Sequence, residues 1–164
     1  MAMFMATKKP EIVIMVGNIG SGKSTLVGKY VEKGYLCVSR DALRYMVGAG
    51  KYIYNPIKIE ESIFACEGKI LRCLMLRRFN IVVDEVGVSK KFRYGYLQLA
   101  RQYGYNAVAH VMRRLPKEIC VERRMNNNHG DTSKEVWNRV WEKFNASYEE
   151  PSKTEGFTKI KKES

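Results

Sequence analysis

Glu11-Ile12-Val13-Ile14-Met15-Val16-Gly17-Asn18-Ile19-Gly20-Ser21-Gly22-Lys23-Ser24-Thr25 is the stretch that decides the fold. It opens on a short β-branched apolar run with Pro10 before it and Gly17 after it, the pattern of a strand buried on both faces. The run passes straight into a loop of the form GxxxxGK[ST]. Phosphate oxygens need several N–H donors converging on one point. Gly17, Gly20 and Gly22 let the backbone through Asn18, Ile19 and Ser21 fold into such a nest. Lys23 supplies a positive charge to the transferred phosphate, and Ser24 offers a hydroxyl to Mg²⁺. The helix that begins there and continues through Thr25 adds its positive dipole end.

Working outward, the helical pattern runs from Lys23 to Glu32 and closes at Lys33-Gly34, and Tyr35-Leu36-Cys37-Val38-Ser39 reads as a second strand. Between Pro56 and Arg78, Ile59, Ile63, Phe64, Ile70, Leu71 and Leu74 recur at helical spacing. Phe79-Asn80-Ile81-Val82-Val83 is another short buried strand, ending at Asp84. A helix from Lys90 to Tyr103, a strand from Ala107 to Met112, a helix from Pro116 to Met125 and a helix from Ser133 to Tyr148 follow, with Ser133 as a cap. This alternation predicts an α/β sandwich: a mostly parallel sheet of about five strands, with helices on both faces. Asn126 to Asp131 is the most polar internal segment and lies between two helices. It reads either as a mobile lid over the phosphate site, spanning roughly 123–133, or as an ordinary surface loop.

A chain of 164 residues that is 45% apolar can bury a core as one domain, 1–164, with no disulfide or metal staple. No repeat, linker or second hydrophobic block divides it. Its 29 Lys and Arg against 17 Asp and Glu leave +12, a field that favours a polyanionic partner. Cys37, Cys66, Cys73 and Cys120 are too widely spaced for CxxC pairs. With only His110 and His129 besides, no structural zinc cluster is expected, and the cysteines are expected reduced and buried. Met1-Ala2-Met3-Phe4-Met5 is too short for a signal peptide and no run reaches membrane-span length, so cytoplasmic residence is expected.

The loop alone suits GTPases, motor ATPases and small-molecule kinases, so other polar residues must choose among them. Asp84 ends a strand at the carboxyl edge of the sheet, where it can reach Mg²⁺ through water, or the acceptor; it could equally cap the loop that follows. Asp41 lies at the same edge, just beyond the second strand, and Arg44 follows one helical step later. An acceptor hydroxyl needs a nearby base, and a moving phosphoryl group needs positive charge. The competing reading makes Asp41 a helix cap and Arg44 its solvated face. Tyr45, Tyr52 and Tyr54, interleaved with Lys51 and Lys58, suit stacking of a single strand's bases or ordinary packing in a helical hairpin. Lys90, Lys91 and Arg93 form a second basic cluster, of a kind that usually marks a solvated helix start.

Taken together, Gly17 to Thr25, Arg40-Asp41-x-x-Arg44 and Val82-Val83-Asp84 resemble the 5′-hydroxyl kinase domain of the phage polynucleotide kinase family, in order over most of the chain. The resemblance implies transfer of the γ-phosphate of ATP, with Mg²⁺, to the 5′-hydroxyl end of DNA or RNA. It makes Asp41 the general base and Arg44 a contact to the phosphates at the transfer point. Lys23 and Ser24 would hold the triphosphate and its metal, and Asp84 would be the strand-end aspartate near the acceptor. The family's lid carries two arginines a turn apart; Arg123 or Arg124 matches the first, while the second falls among Asn126 to Asn128. No DxDxT phosphatase motif exists, the aspartates being Asp41, Asp84 and Asp131. Tyr148 to Pro151 with Glu155-Gly156-Phe157 looks like the close of this group, where the chain returns as a last strand, with Lys159 to Lys162 fraying beyond it or touching nucleic acid. Two alternatives stand: a kinase for a small hydroxyl acceptor such as a nucleoside, sugar or antibiotic, and an ATP-binding regulatory module. No NKxD motif supports a GTPase.

Overall fold

The computed structural model describes residues 8–55, 57–127, 129–130 and 132–164. The opening Met1-Ala2-Met3-Phe4-Met5, Pro56, and Asn128 and Asp131 of the lid region lie outside the described residues. Five strands, β1 (Glu11–Val16), β2 (Leu36–Val38), β3 (Ile81–Val83), β4 (Asn106–Val111) and β5 (Lys159–Lys162), alternate with helices α1 (Lys23–Glu32), α2 (Arg40–Val47), α3 (Glu60–Leu76), α4 (Lys90–Tyr103), α5 (Lys117–Asn126) and α6 (Lys134–Ala146). The sheet order is β2-β3-β1-β4-β5 and every pairing is parallel. The phosphate-loop strand β1 is therefore central, with β3 on one side and β4 on the other.

Side chains alternate across a strand, so a strand covered on both faces is apolar throughout. Ile12, Ile14 and Val16 point to one face, where Leu71 and Met75 of α3 and Tyr96, Leu97 and Ala100 of α4 cover them. Val13 and Met15 point to the other, against Val27 and Tyr30 of α1. All five strand residues are fully buried, each contributing about 1.5–3 kcal/mol of hydrophobic stabilisation. A third cluster joins Ile19 of the glycine loop to Val121 of α5 and Trp137 of α6. The α5–α6 pair is thus packed directly on the loop.

The fold matches the sequence expectation, with element ends shifted by a residue or two at most strands and helices. Four readings change. Lys159 to Lys162 do not fray: they are β5, in register with Val108 to Val111, and the last strand lies beyond Phe157. The inward stripe of α3 is Ile63, Glu67, Leu71 and Met75, while Phe64 and Ile70 are exposed. Cys120 is buried, but Cys37, Cys66 and Cys73 are exposed; all four are free. Cys37 sits on the edge strand β2, and Cys66 and Cys73 lie on the outer side of α3, off its inward stripe. Finally, Arg93 is not part of a solvated basic cluster. It is completely buried, bidentate to Glu155 at 2.9 Å on both arms, and it donates to the carbonyls of Gly87 and Glu149. It therefore ties α4 to the 3-10 turn Lys153–Glu155 that leads into β5.

Candidate active site at the carboxyl edge of the sheet

β1 delivers the chain to Gly17 at the carboxyl edge, where ligands bind in open parallel sheets. Gly20 has φ +64, and a Cβ built there would lie 2.1 Å from the Cys120 carbonyl oxygen. Gly22, at φ +94, is the left-handed residue that precedes α1. Both positions exclude a side chain, one by space and both by conformation. The Asn18 side chain donates to the Trp141 carbonyl at 2.9 Å, and its oxygen accepts from the Ile19 amide at 2.8 Å. The loop is consequently anchored to α6 from above and by Ile19 packing from within.

The Lys23 ammonium folds back inside the loop and donates to the carbonyls of Gly17 (2.9 Å) and Asn18 (2.7 Å). Burial pulls its pKa down to about 8, against the opposing charge of Asp84 and with Arg124 assisting the drop. Ser24 Oγ donates to Asp84 Oδ2 at 3.3 Å, joining the first turn of α1 to the end of β3. Burial pushes the Asp84 carboxyl up, Lys23 and the Ser24 hydrogen bond oppose this, and Glu85 and Asp41 add to the rise. A hydroxyl beside a carboxylate under that pressure is a fitting pair of oxygens for Mg²⁺. Among the described residues no three His, Cys, Asp or Glu side chains form a metal cluster. An ion at Ser24 and Asp84 would complete its shell with phosphate oxygens and water.

α2 brings the second half of the site. Its cap is Ser39, whose hydroxyl accepts from the Ala42 amide; Asp41 is therefore not the cap, and its carboxylate is free to face the cleft. Nor is Arg44 a solvated residue. It is 8% exposed, bidentate to Glu60 of α3 at 2.9 and 2.5 Å, and its third nitrogen donates to Asp41 Oδ1 at 2.6 Å. Tyr52 donates to the same Asp41 oxygen at 3.0 Å. Asp41 Oδ2 faces His129 Nε2 at 3.3 Å and Arg124 at 3.8 Å. Burial works to raise the Asp41 pKa, but the His129 and Tyr52 hydrogen bonds and the charge of Arg44 overcome it and hold the carboxyl well below its ordinary range.

Of the two lid arginines, only Arg124 turns inward, stacked 4.5 Å over the Trp137 ring; Arg123 is exposed. Lys23, Ser24, Asp84, Asp41, Arg44 and Arg124 therefore form one linked cluster, through Ser24–Asp84, Arg44–Asp41 and Arg124–Asp41 contacts and the mutual charge of Lys23 and Asp84. The sequence reading missed three residues there. Glu85 accepts from the first amide of α2 at 2.8 Å and pairs with Arg40 at 2.6 Å, setting the angle at which Asp41 leaves the sheet. Glu60 orients Arg44, and His129 closes on Asp41. The available signals were faint: an acidic residue immediately after Asp84, an acidic first turn on α3, and one of two histidines in the chain placed in the lid.

A glycine loop leaving the central strand of a parallel sheet, with the Asp84 carboxylate beside it and Arg124 of α5 turned inward, fits a kinase-like P-loop nucleotide-binding domain. The chain belongs to the AAA domain family AAA_33, which matches residues 12–151. No curated protein matches the sequence. Among solved structures, the chain is similar to one from the Pnkp1/Rnl/Hen1 complex (26% identity, TM-score 0.60), covering 70% of this chain and 38% of that one. It is also similar to a fungal RNA kinase (15%, TM-score 0.64), covering 96% of this chain and 39% of that one. A third likeness is to a gluconokinase from Sinorhizobium meliloti 1021 (20%, TM-score 0.56), over 94% and 82%. The chain spans less than half the length of the first two. Among the described residues no helix is long and apolar enough to cross a membrane.

Proposed function

We propose that this domain is a polynucleotide 5′-hydroxyl kinase that transfers the γ-phosphate of ATP to the 5′-hydroxyl end of DNA or RNA. The observation that carries the reading is the Asp41 carboxylate, held by Arg44 and faced by Arg124 across the cleft from the phosphate loop. In the transfer, the 5′-hydroxyl oxygen bonds to the γ-phosphorus in line with the bond to the β-phosphate oxygen, which breaks as ADP leaves. The hydroxyl proton passes to Asp41 Oδ2. Lys23, Arg44 and Arg124 bear on the charge that spreads over the three equatorial oxygens. Gly17 to Thr25 would hold the triphosphate through backbone amides, and Ser24 and Asp84 would hold Mg²⁺, which when bound neutralises charge between the β- and γ-phosphates. The net charge of +12 favours a polyanionic acceptor, and the likeness to a fungal RNA kinase and to a chain of the Pnkp1/Rnl/Hen1 complex supports the same direction.

A kinase for a small hydroxyl acceptor is the second reading, and one observation favours it: the gluconokinase is matched over 82% of its own length, the fungal RNA kinase over 39%. The deciding experiment supplies γ-labelled ATP with 5′-hydroxyl DNA and RNA oligonucleotides, their 5′-phosphorylated counterparts, free nucleosides and gluconate. Label on the 5′-hydroxyl oligonucleotides alone is expected. Label confined to a small acceptor would replace the proposal with the second reading.

A further inference from the structure

The least expected contact in the cleft is a ring pair. The imidazole of His129 lies on the face of Tyr52, with centroids 4.6 Å apart and planes 11° from parallel. Tyr45 stands edge-on to both, 5.3 Å from each. Asp41 can only accept, so His129 Nε2 carries the hydrogen that faces it, and Nδ1 takes the hydroxyl of Tyr45. The Thr132 hydroxyl donates to the His129 carbonyl at 2.9 Å and steadies the backbone behind the ring. Arg44 lies 5.9 Å from the Tyr52 centroid and 5.6 Å from that of Tyr54. Among the described residues none of the three tyrosines belongs to a buried apolar cluster, and Tyr54 is 61% exposed. These rings are therefore not core; they form a slot beside the proposed base.

We infer that the Tyr52 face covered by His129 is the seat of the acceptor's terminal nucleobase, and that His129 fills this seat and caps Asp41 until an acceptor arrives. The inference rests on the polynucleotide reading and sharpens it. His129 does two things at once: its ring stacks on Tyr52, and its N–H occupies the Asp41 oxygen that a hydroxyl must reach. The stacked rings are too close to admit a third between them, so an acceptor must displace the imidazole. A nucleoside 5′ end brings an aromatic plane and a hydroxyl together and recovers both interactions; a hydroxyl compound without a base recovers only one. Opening the slot costs every acceptor alike, and only a base-bearing end recovers the stacking, so the Tyr52 face selects for base-bearing ends.

The test pairs 5′-hydroxyl oligonucleotides that differ only at the terminal residue, which carries either its base or an abasic tetrahydrofuran. With the unaltered protein, the abasic end should raise KM by about 5- to 150-fold, the range that base–aromatic stacking supports. Tyr52→Leu should reduce that ratio to below about twofold, whatever it does to kcat, whereas Tyr52→Phe, which keeps the ring and loses the hydroxyl, should preserve it. His129→Ala should lower KM for both ends and leave their ratio in place. Equal KM values for the two ends in the unaltered protein, or a ratio that survives Tyr52→Leu, would overturn the slot while leaving the kinase assignment standing. A second arm needs no turnover: the His129 imidazole resonances are followed by NMR as adenosine or ribose is added. Displacement by adenosine and not by ribose is expected. If oligonucleotides are never phosphorylated, the polynucleotide reading fails by itself; the slot then survives with the adenosine response and falls without it.

Discussion

Asp41→Asn removes one charge and one proton acceptor while keeping the side chain's shape. In the structure each Asp41 oxygen faces two donors, Arg44 and Tyr52 on one side and His129 and Arg124 on the other. An asparagine must turn its NH₂ toward one of those pairs. The Asp41 side chain is 40% exposed, so water screens much of the lost attraction and the stability change should stay within about 1 kcal/mol. Loss of a general base costs about 10²- to 10⁴-fold in rate. The depressed pKa makes Asp41 a weak proton acceptor, which places the expected loss of kcat near the lower end, about 10²-fold. ATP binding should be unchanged or slightly tighter, because a negative charge has left the neighbourhood of an anionic ligand. Single-turnover transfer and nucleotide titration on the same preparation read the two effects separately. Lost ATP binding, or a rate loss below about tenfold, would refute the assignment of Asp41 as base. The same variant has a pH signature. A carboxyl whose folded pKa lies below its unfolded value of about 3.9 contributes stability that is present above that pH and lost as pH falls toward the folded value. Melting temperatures of Asp41→Asn should therefore decline less steeply than those of the unaltered protein as pH drops below about 5.

Gly20→Ala should destabilise the domain by at least about 1–3 kcal/mol through its left-handed backbone alone, and the clash with the Cys120 carbonyl should abolish the rise in melting temperature on adding ATP. Arg93→Met removes the fully buried partner of an ion pair and should cost about 3–5 kcal/mol in urea denaturation. A denaturation midpoint within experimental error of the unaltered protein would show that the tie between α4 and the last turn is dispensable. For oligonucleotide acceptors, log kcat/KM should fall with log salt, with a slope of about −0.7 for each phosphate engaged, so a long acceptor should show a steeper slope than a dinucleotide. Equal slopes for both acceptors would remove the +12 charge from the account of acceptor binding.

The phosphate loop was legible because everything it needs is consecutive: a doubly buried strand, three glycines, a lysine, a serine and the helix that starts on them. Asp41 and Asp84 were legible one level up, since a parallel sheet puts the residues that follow its strands on one edge. Lys159 to Lys162 misled because three lysines around Ile160 have no strand periodicity of their own. Parallel pairing with β4 makes them a strand, and Lys162 and Lys161 end on Glu150 and the Tyr30 hydroxyl. Glu67 is a case in the opposite sense, an acid buried at the centre of the apolar stripe of α3. It is tolerated because the Tyr96 hydroxyl meets it at 2.7 Å and Arg40 lies 3.7 Å away. What was hidden in the site has the same character. Glu85 and Glu60 act on Arg40 and Arg44 rather than on a ligand, and His129 meets Asp41 across a sequence gap that no local pattern spans. Residues that touch phosphate announce themselves by spacing, because the phosphate imposes the geometry. Residues that aim those side chains answer only to the packing around them, as Glu60 of α3 does in holding Arg44 of α2.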